Sequence, residues 1–265
     1  MMYRLLIGIL LLCELANAQF PQAAASFQAL GTDVPFGSSF SGRNFPQIGP
    51  EDAQFSLGVS MLYYPELPAF GRRFLAANYL QGMFHLTGHL ESSGDELYSH
   101  QTMRIHTGMR INSWRMGVGV WRRQIKLEQY GSHQWLTVAG VSTQIQQKWS
   151  LHCSLQAFAF RQKSNVLADP PMLQSHLMLV HHHHKTHIIF NFSYYSMLGN
   201  DVGLGIGYQF HKDFEFDWAG SLVLKRMSFG LRYRYQDFNL RISVMQQQLP
   251  GLWWQSAADW HFRQL

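Results

Sequence analysis

The chain has 265 residues, 46% of them hydrophobic and 14% aromatic, with only 14% charged and a formal net charge of +5. Soluble domains carry about 25% charged residues, so the deficit points to a large apolar exterior. The positive balance does not point to nucleic acid, because Arg and Lys are scattered along the chain, never more than two together, and form no basic segment.

In chain order, Arg4 gives a positive start, Leu5 to Leu12 an apolar run and Ala16-Asn17-Ala18 a small-x-small cleavage site. This is a secretory signal over residues 1–18, with the mature chain starting at Gln19. A spanning helix needs about 20 apolar residues, and the run is shorter. A lipoprotein signal at Cys13 is the rival, but Leu12 stands where a small residue belongs. After cleavage one cysteine remains, Cys153, so no internal disulfide forms.

Residues 19–54 are rich in Gly, Ser and Pro, as at Gly37-Ser38-Ser39-Phe40-Ser41-Gly42, and read as an irregular segment. From residue 55 to 265 the apolar period is two. Met103, Ile105, Thr107, Met109 and Ile111 alternate with Arg104, His106, Gly108 and Arg110, the pattern of a half-buried strand. Val202 to Phe210 alternate with Gly203, Gly205 and Gly207, and Phe229 to Tyr235 alternate with Gly230, Arg232 and Arg234. Strands are expected at 55–64, 71–80, 82–91, 99–111, 114–126, 134–146, 149–161, 173–181, 187–196, 202–211, 214–223, 226–236, 238–247 and 254–263. They make an all-β antiparallel up-and-down transmembrane barrel of about fourteen strands, twelve being the alternative count because 71–91 and 173–181 are weakly patterned. In the mature chain no stretch is long and apolar enough for a helical span, so a closed barrel is the spanning structure left.

Turn lengths sort in the same sense. Gln81, Asn112-Ser113, Gln147-Lys148, His182 to Thr186, Lys212-Asp213 and Asp237 are brief, while Pro65 to Phe70, Ser92 to Tyr98, Glu128 to His133, Gln162 to Met172 and Gln248 to Trp253 are longer. Outer-membrane barrels place short turns in the periplasm and long loops outside, which puts both termini in the periplasm. Tyr63-Tyr64, Tyr194-Tyr195 and Trp253-Trp254 fall where interfacial aromatics belong.

Arg104, His106, Arg110, Arg232, Arg234 and Arg241 are the expected lumen-facing cations. They either form an anion-selective wall or pair internally, with Glu215 and Asp217 across from Arg232 and Arg234. His181-His182-His183-His184 and His187 are candidate metal ligands by type, but strand neighbours point to opposite faces, and a hydrated turn is the plainer reading. The stripe Gly203, Gly205 and Gly207 allows close approach of a ligand or of the N-terminal segment, or else strand curvature. Ser99-His100 and Ser132-His133 lack any surrounding nucleophile motif and read as loop residues. No cofactor, metal site or enzyme active site is expected.

Several stretches carry a resemblance: Ala23-Ala24-Ala25 to Leu30-Gly31, Gln54-Phe55-Ser56-Leu57-Gly58-Val59, Tyr130-Gly131 with Val138-Ala139-Gly140-Val141, Lys148-Trp149-Ser150-Leu151, and Leu249-Pro250-Gly251-Leu252 before the last strand. The chain resembles the PorV/PorQ-type barrels of Bacteroidota, a branch similar to FadL fatty-acid transporters. Phe45-Pro46-Gln47-Ile48-Gly49 stands where that group carries a phrase like Asn-Pro-Ala-Gly. The resemblance implies a fourteen-strand outer-membrane barrel with residues 19–54 as a lumenal hatch. It also implies a non-enzymatic accessory subunit of a type IX-like secretion or surface-assembly complex, in contact with outer-membrane lipid and partner proteins. The alternative it carries is a transporter of hydrophobic small molecules.

Overall fold

The computed structural model describes residues 54–65, 71–95, 98–127, 130–146, 148–162, 173–195, 199–223, 225–247 and 252–262. The signal segment with Cys13, the expected hatch up to residue 53, and most of the longer connections lie outside the described residues. Fourteen strands run in chain order: β1 (Phe55–Tyr63), β2 (Arg72–Gln81), β3 (Phe84–Gly94), β4 (Tyr98–Ile111), β5 (Trp114–Leu127), β6 (Tyr130–Gln146), β7 (Trp149–Gln162), β8 (Gln174–His183), β9 (Thr186–Tyr195), β10 (Gly199–His211), β11 (Phe214–Ser221), β12 (Arg226–Tyr235), β13 (Phe238–Gln247) and β14 (Leu252–Phe262). Each pairs antiparallel with its sequence neighbours, and β1 closes on β14. The count of fourteen stands, and twelve is excluded.

Closure leaves no strand edge with unpaired N–H and C=O groups, as a spanning sheet requires. Local sequence sets up the hairpins. At one end all six connections are two-residue turns, as the pairs Gln81↔Phe84, Ile111↔Trp114, Gln146↔Trp149, His183↔Thr186, His211↔Phe214 and Tyr235↔Phe238 show. Four of these turns open on a left-handed residue, Gly82, Asn112, His184 and Gln236, the backbone that tight hairpins favour. The start of β1 and the end of β14 lie at this same end. The longer connections lie at the other.

Several boundaries differ from the sequence expectation, the largest at β6, which starts at Tyr130 rather than 134, so that Leu127↔Tyr130 leaves two residues where a longer connection over 128–133 was expected. The second hairpin turns on Gly82-Met83 rather than at Gln81. The histidine run is not a turn from 182 to 186: His181, His182 and His183 complete β8, and only His184-Lys185 turn. Histidine carries no strong turn signal, but the ladder of β8 with β9 continues to His183 because more backbone bonds form that way.

The period of two divides the surface. Met61, Leu75, Ile105, Val118, Phe192 and Phe229 face outward and are exposed, whereas their strand neighbours are buried inside. A barrel with an apolar exterior and a polar interior is built for a bilayer. The expected girdle is half right. Tyr63, Tyr194 and Trp254 face outward, while Tyr64, Tyr195 and Trp253 are buried inward, since consecutive strand residues cannot share a face.

The outward face gives a direct test. Val118 is 57% exposed on β5, and Val118→Arg is expected to cost about 2–4 kcal/mol of folding free energy in bilayers, against about 0–1 for Tyr63→Arg near the rim. Reversible urea titration in phospholipid vesicles reads both. Equal costs at the two positions would contradict a membrane-covered band.

Candidate functional site

The candidate site is the inner wall of the barrel. Its best-connected part runs across β2 to β5. Arg72 Nη1 lies 2.7 Å from Glu91 Oε1, and Arg104 Nη2 lies 3.2 Å from Glu91 Oε2. His100 Nδ1 is 3.8 Å from the same carboxylate. The Arg104 guanidinium sits 4.1 Å over the Trp121 ring, a cation–π contact. Trp121 Nε1 donates to His106 Nε2 at 2.7 Å, and the His106 and His89 rings meet edge to face at 5.7 Å. Every one of these side chains is buried. They meet because antiparallel register sets His89 beside Arg104, Arg104 beside Trp121 and His106 beside Gly119.

Two glycines make room for this wall. A Cβ at Gly119 would stand 2.3 Å from the His106 ring, and one at Gly108 would stand 2.3 Å from His85 and 2.8 Å from the Met116 carbonyl oxygen. In the sequence these glycines resembled ordinary small residues of a strand; only the cross-strand register shows what they accommodate.

A second charged wall lies across β11 to β14. Glu215 pairs with Arg232, Arg241 Nη2 lies 3.7 Å from Asp259 Oδ1, and Asn239 Nδ2 donates to Asp259 Oδ2 at 3.3 Å. Asp217 is not opposite an arginine. Its partner is Gly230, whose missing side chain leaves space for the carboxylate. In an antiparallel pair a step up one strand is a step down the other, so once Glu215 meets Arg232, Asp217 must move away from Arg234. Arg234 instead donates to Asn239 Oδ1 at 3.3 Å. Arg234 and Arg110 share the inward parity of their strands but stand exposed at the end with the two-residue turns, so they mark the rim rather than the deep lumen. Asp259, Asn239 and Glu91 are wall residues that the sequence reading missed; an inward parity shared with the arginines was the available signal.

Between the charged walls the interior is apolar and aromatic. Leu62 and Tyr64 of β1 and its following residue, Phe74 and Ala76 of β2, Met245 of β13, and Trp253 and Ala257 of β14 form one buried cluster. The Tyr64 and Trp253 rings lie 4.7 Å apart. The patch sits toward the end with longer connections. Eight strands already enclose a lumen that side chains can fill, and more strands widen it; the patch side chains are at most 8% exposed.

The histidines divide by face. His182 and His187 both point inward, with their Nδ1 atoms 3.0 Å apart, while His183 and His184 are exposed. Among the described residues no three His, Cys, Asp or Glu side chains gather as a metal site. Gly203, Gly205 and Gly207 face inward opposite Ser221, Ala219 and Asp217, leaving a low stretch of wall. Ser99 and His100 lie within β4, and Ser132 and His133 within β6, not in loops. A separate serine–histidine contact, His176 Nδ1 to Ser193 Oγ at 2.8 Å, is buried deep on the wall, and Asn191 also donates to that hydroxyl. It lines the lumen as part of a polar network.

No family model and no curated protein matches the sequence. Solved structures do match the fold. The Pseudomonas putida toluene transporter TodX is similar over 92% of this chain and 95% of its own, at TM-score 0.55 and 9% identity. The Acinetobacter baumannii outer membrane protein Omp33 is similar over 80% of this chain and 99% of its own, at TM-score 0.56 and 6% identity. At such identities the likeness is one of fold alone, a closed β-barrel like those of TodX and Omp33.

Proposed function

We propose that this protein is a non-enzymatic outer-membrane transporter that passes small apolar or amphipathic molecules through its lumen. The observation that carries the reading is the buried inward cluster of Leu62, Tyr64, Phe74, Met245 and Trp253. The cluster is at most 8% exposed, so a solute reaches it only where packed neighbours move aside; an apolar solute then gains about 25 cal/mol per Å² covered, whereas water and ions gain nothing. The flanking walls pair carboxylates with guanidinium groups but keep an excess of cations, with the inward Arg72, Arg104, Arg110, Arg115 and Arg123 against Glu91 on β2 to β5, so the apolar patch and not charge neutrality carries the reading. The fold shared with TodX, a toluene transporter, agrees with this reading. The accessory role in type IX-like secretion has the sequence resemblance behind it and no feature of the described residues.

Both termini are assigned to the periplasm, because the two-residue turns lie at their end of the barrel. Uptake tests the function. Vesicles holding the purified full chain are expected to take up a labelled monoaromatic hydrocarbon or long-chain carboxylate faster than empty vesicles. Trp253→Ala with Tyr64→Ala is expected to slow that uptake. Rates equal to those of empty vesicles for every apolar solute tried would overturn transport. Native copurification with a fixed set of secretion proteins would then favour the accessory role.

A further inference from the structure

The outward face carries a small set of charges. Among the described strand residues of outward parity, the charged side chains are Arg73, Arg122 and Lys126, with no carboxylate. All three fall on β2 and β5, in one four-strand sector, toward the end with longer connections. Scattered surface charge would not sort by sector, by end and by sign.

The sector has an ordered composition. Along the ladder, Arg73, Ser92, Gln101 and Gln124 form one cross-strand row. The next row, farther from the long connections, is Leu75, Leu90 and Met103, ending in Arg122. Both rows line an outward groove of about 450 Å³. Leu75, Leu90 and Met103 are each at least 41% exposed. Arg122 stands in register between Met103 and Trp135, within apolar surface where a cation is costly unless it meets an anion. Among the described residues none of the three cations has an ion-pair partner.

We infer that this groove binds an outer-leaflet glycolipid whose disaccharide head is phosphorylated at both ends. Its acyl chains lie over Leu75, Leu90 and Met103, its phosphates meet Arg73 on one side and Arg122 on the other, and its sugar hydroxyls meet Ser92, Gln101 and Gln124. Arginine suits phosphate because its planar fork donates two parallel hydrogen bonds. Spacing selects the lipid. Three interstrand steps of about 4.8 Å and one two-residue step of about 6.8 Å along the strand separate Arg73 from Arg122, so their backbone positions stand about 16 Å apart. A glycerophospholipid with one phosphate reaches one of them; a bis-phosphorylated disaccharide reaches both. The longer connections face the exterior, so the adjoining leaflet is the outer one. The site is independent of what passes through the lumen.

The test uses the full chain purified in detergent, with binding read by native mass spectrometry against diphosphorylated lipid A, monophosphorylated lipid A and phosphatidylglycerol. Diphosphorylated lipid A is expected to bind at least about tenfold more tightly than either of the others, as loss of one charge-assisted contact implies. Arg73→Gln with Arg122→Gln is expected to erase that preference. Heat-dependent gel migration checks folding, and Arg73→Gln alone, at the rim, is the variant that stands if the double one does not fold; it is expected to bind diphosphorylated lipid A no better than the monophosphorylated form. Phosphatidylglycerol binding as tightly as diphosphorylated lipid A would overturn the inference, as would a folded variant that keeps the preference.

Discussion

Glu91→Gln is expected to lower the unfolding free energy by about 3–5 kcal/mol, because breaking a buried pair leaves its partner charge behind. Glu91 is the carboxylate on which Arg72 and Arg104 both close, at 2.7 and 3.2 Å, with all three side chains no more than 5% exposed. Removing its charge puts two guanidinium ions together in the wall without the anion between them. The charge, not the shape, is what changes, since Gln has nearly the volume of Glu. Urea unfolding in lipid vesicles measures the loss, and heat-dependent gel migration checks that the barrel still forms. Arg72→Met introduced with Glu91→Gln is expected to restore part of the stability by removing one of the two cations. A loss below about 1 kcal/mol would show that water screens the pair as it does on a surface, although its side chains are buried. It would also weaken the transport reading in favour of an open aqueous pore.

The second large effect is expected at Trp121. Its ring supports Arg104, its indole N–H holds His106 at 2.7 Å, and it packs with Leu136 and Val138. Trp121→Ala is expected to cost about 3–5 kcal/mol, the range for deleting a large buried aromatic. Trp121→Phe keeps a ring under Arg104 and loses the hydrogen bond, so its cost is expected to be smaller. An equal cost for Phe and Ala would mean that the bond to His106 carries the position; negligible cost for both would mean that the ring is not packed in the wall at all. Measuring Trp121→Ala in the Glu91→Gln background adds a coupling test, because the two sites share Arg104 and are expected to be non-additive.

The alternating pattern made the architecture legible. A strand that is apolar on one side and polar on the other is written in successive residues, as in Met103 to Ile111, and the brief turns at Asn112-Ser113 and Lys212-Asp213 are local as well. Strand limits were less legible where the turn chemistry was weak. The hairpin at His184-Lys185 has a histidine in the left-handed conformation, and the run of four histidines hides which one turns. Register was legible only in part. Glu215 does face Arg232, but Asp217 faces Gly230 and Arg234 reaches Asn239. The inward network was mostly illegible, because the residues that complete it, Glu91, Trp121, Asn239 and Asp259, are defined by partners on other strands. Likewise Arg73 and Arg122 are 49 positions apart in the sequence, yet they line one outward groove.

By itself the sequence determined a chain of about fourteen half-apolar strands with turn lengths sorted between two ends, because side-chain alternation and turn chemistry act over a few neighbouring residues. The tertiary structure alone decided that β1 closes on β14, that the inner charges fall into two walls around an apolar patch, and that the outward cations share one sector. Those relations depend on register and on sheet closure. A shift of a single residue in pairing exchanges the inner face for the outer one, and no local pattern specifies which distant strand lies alongside.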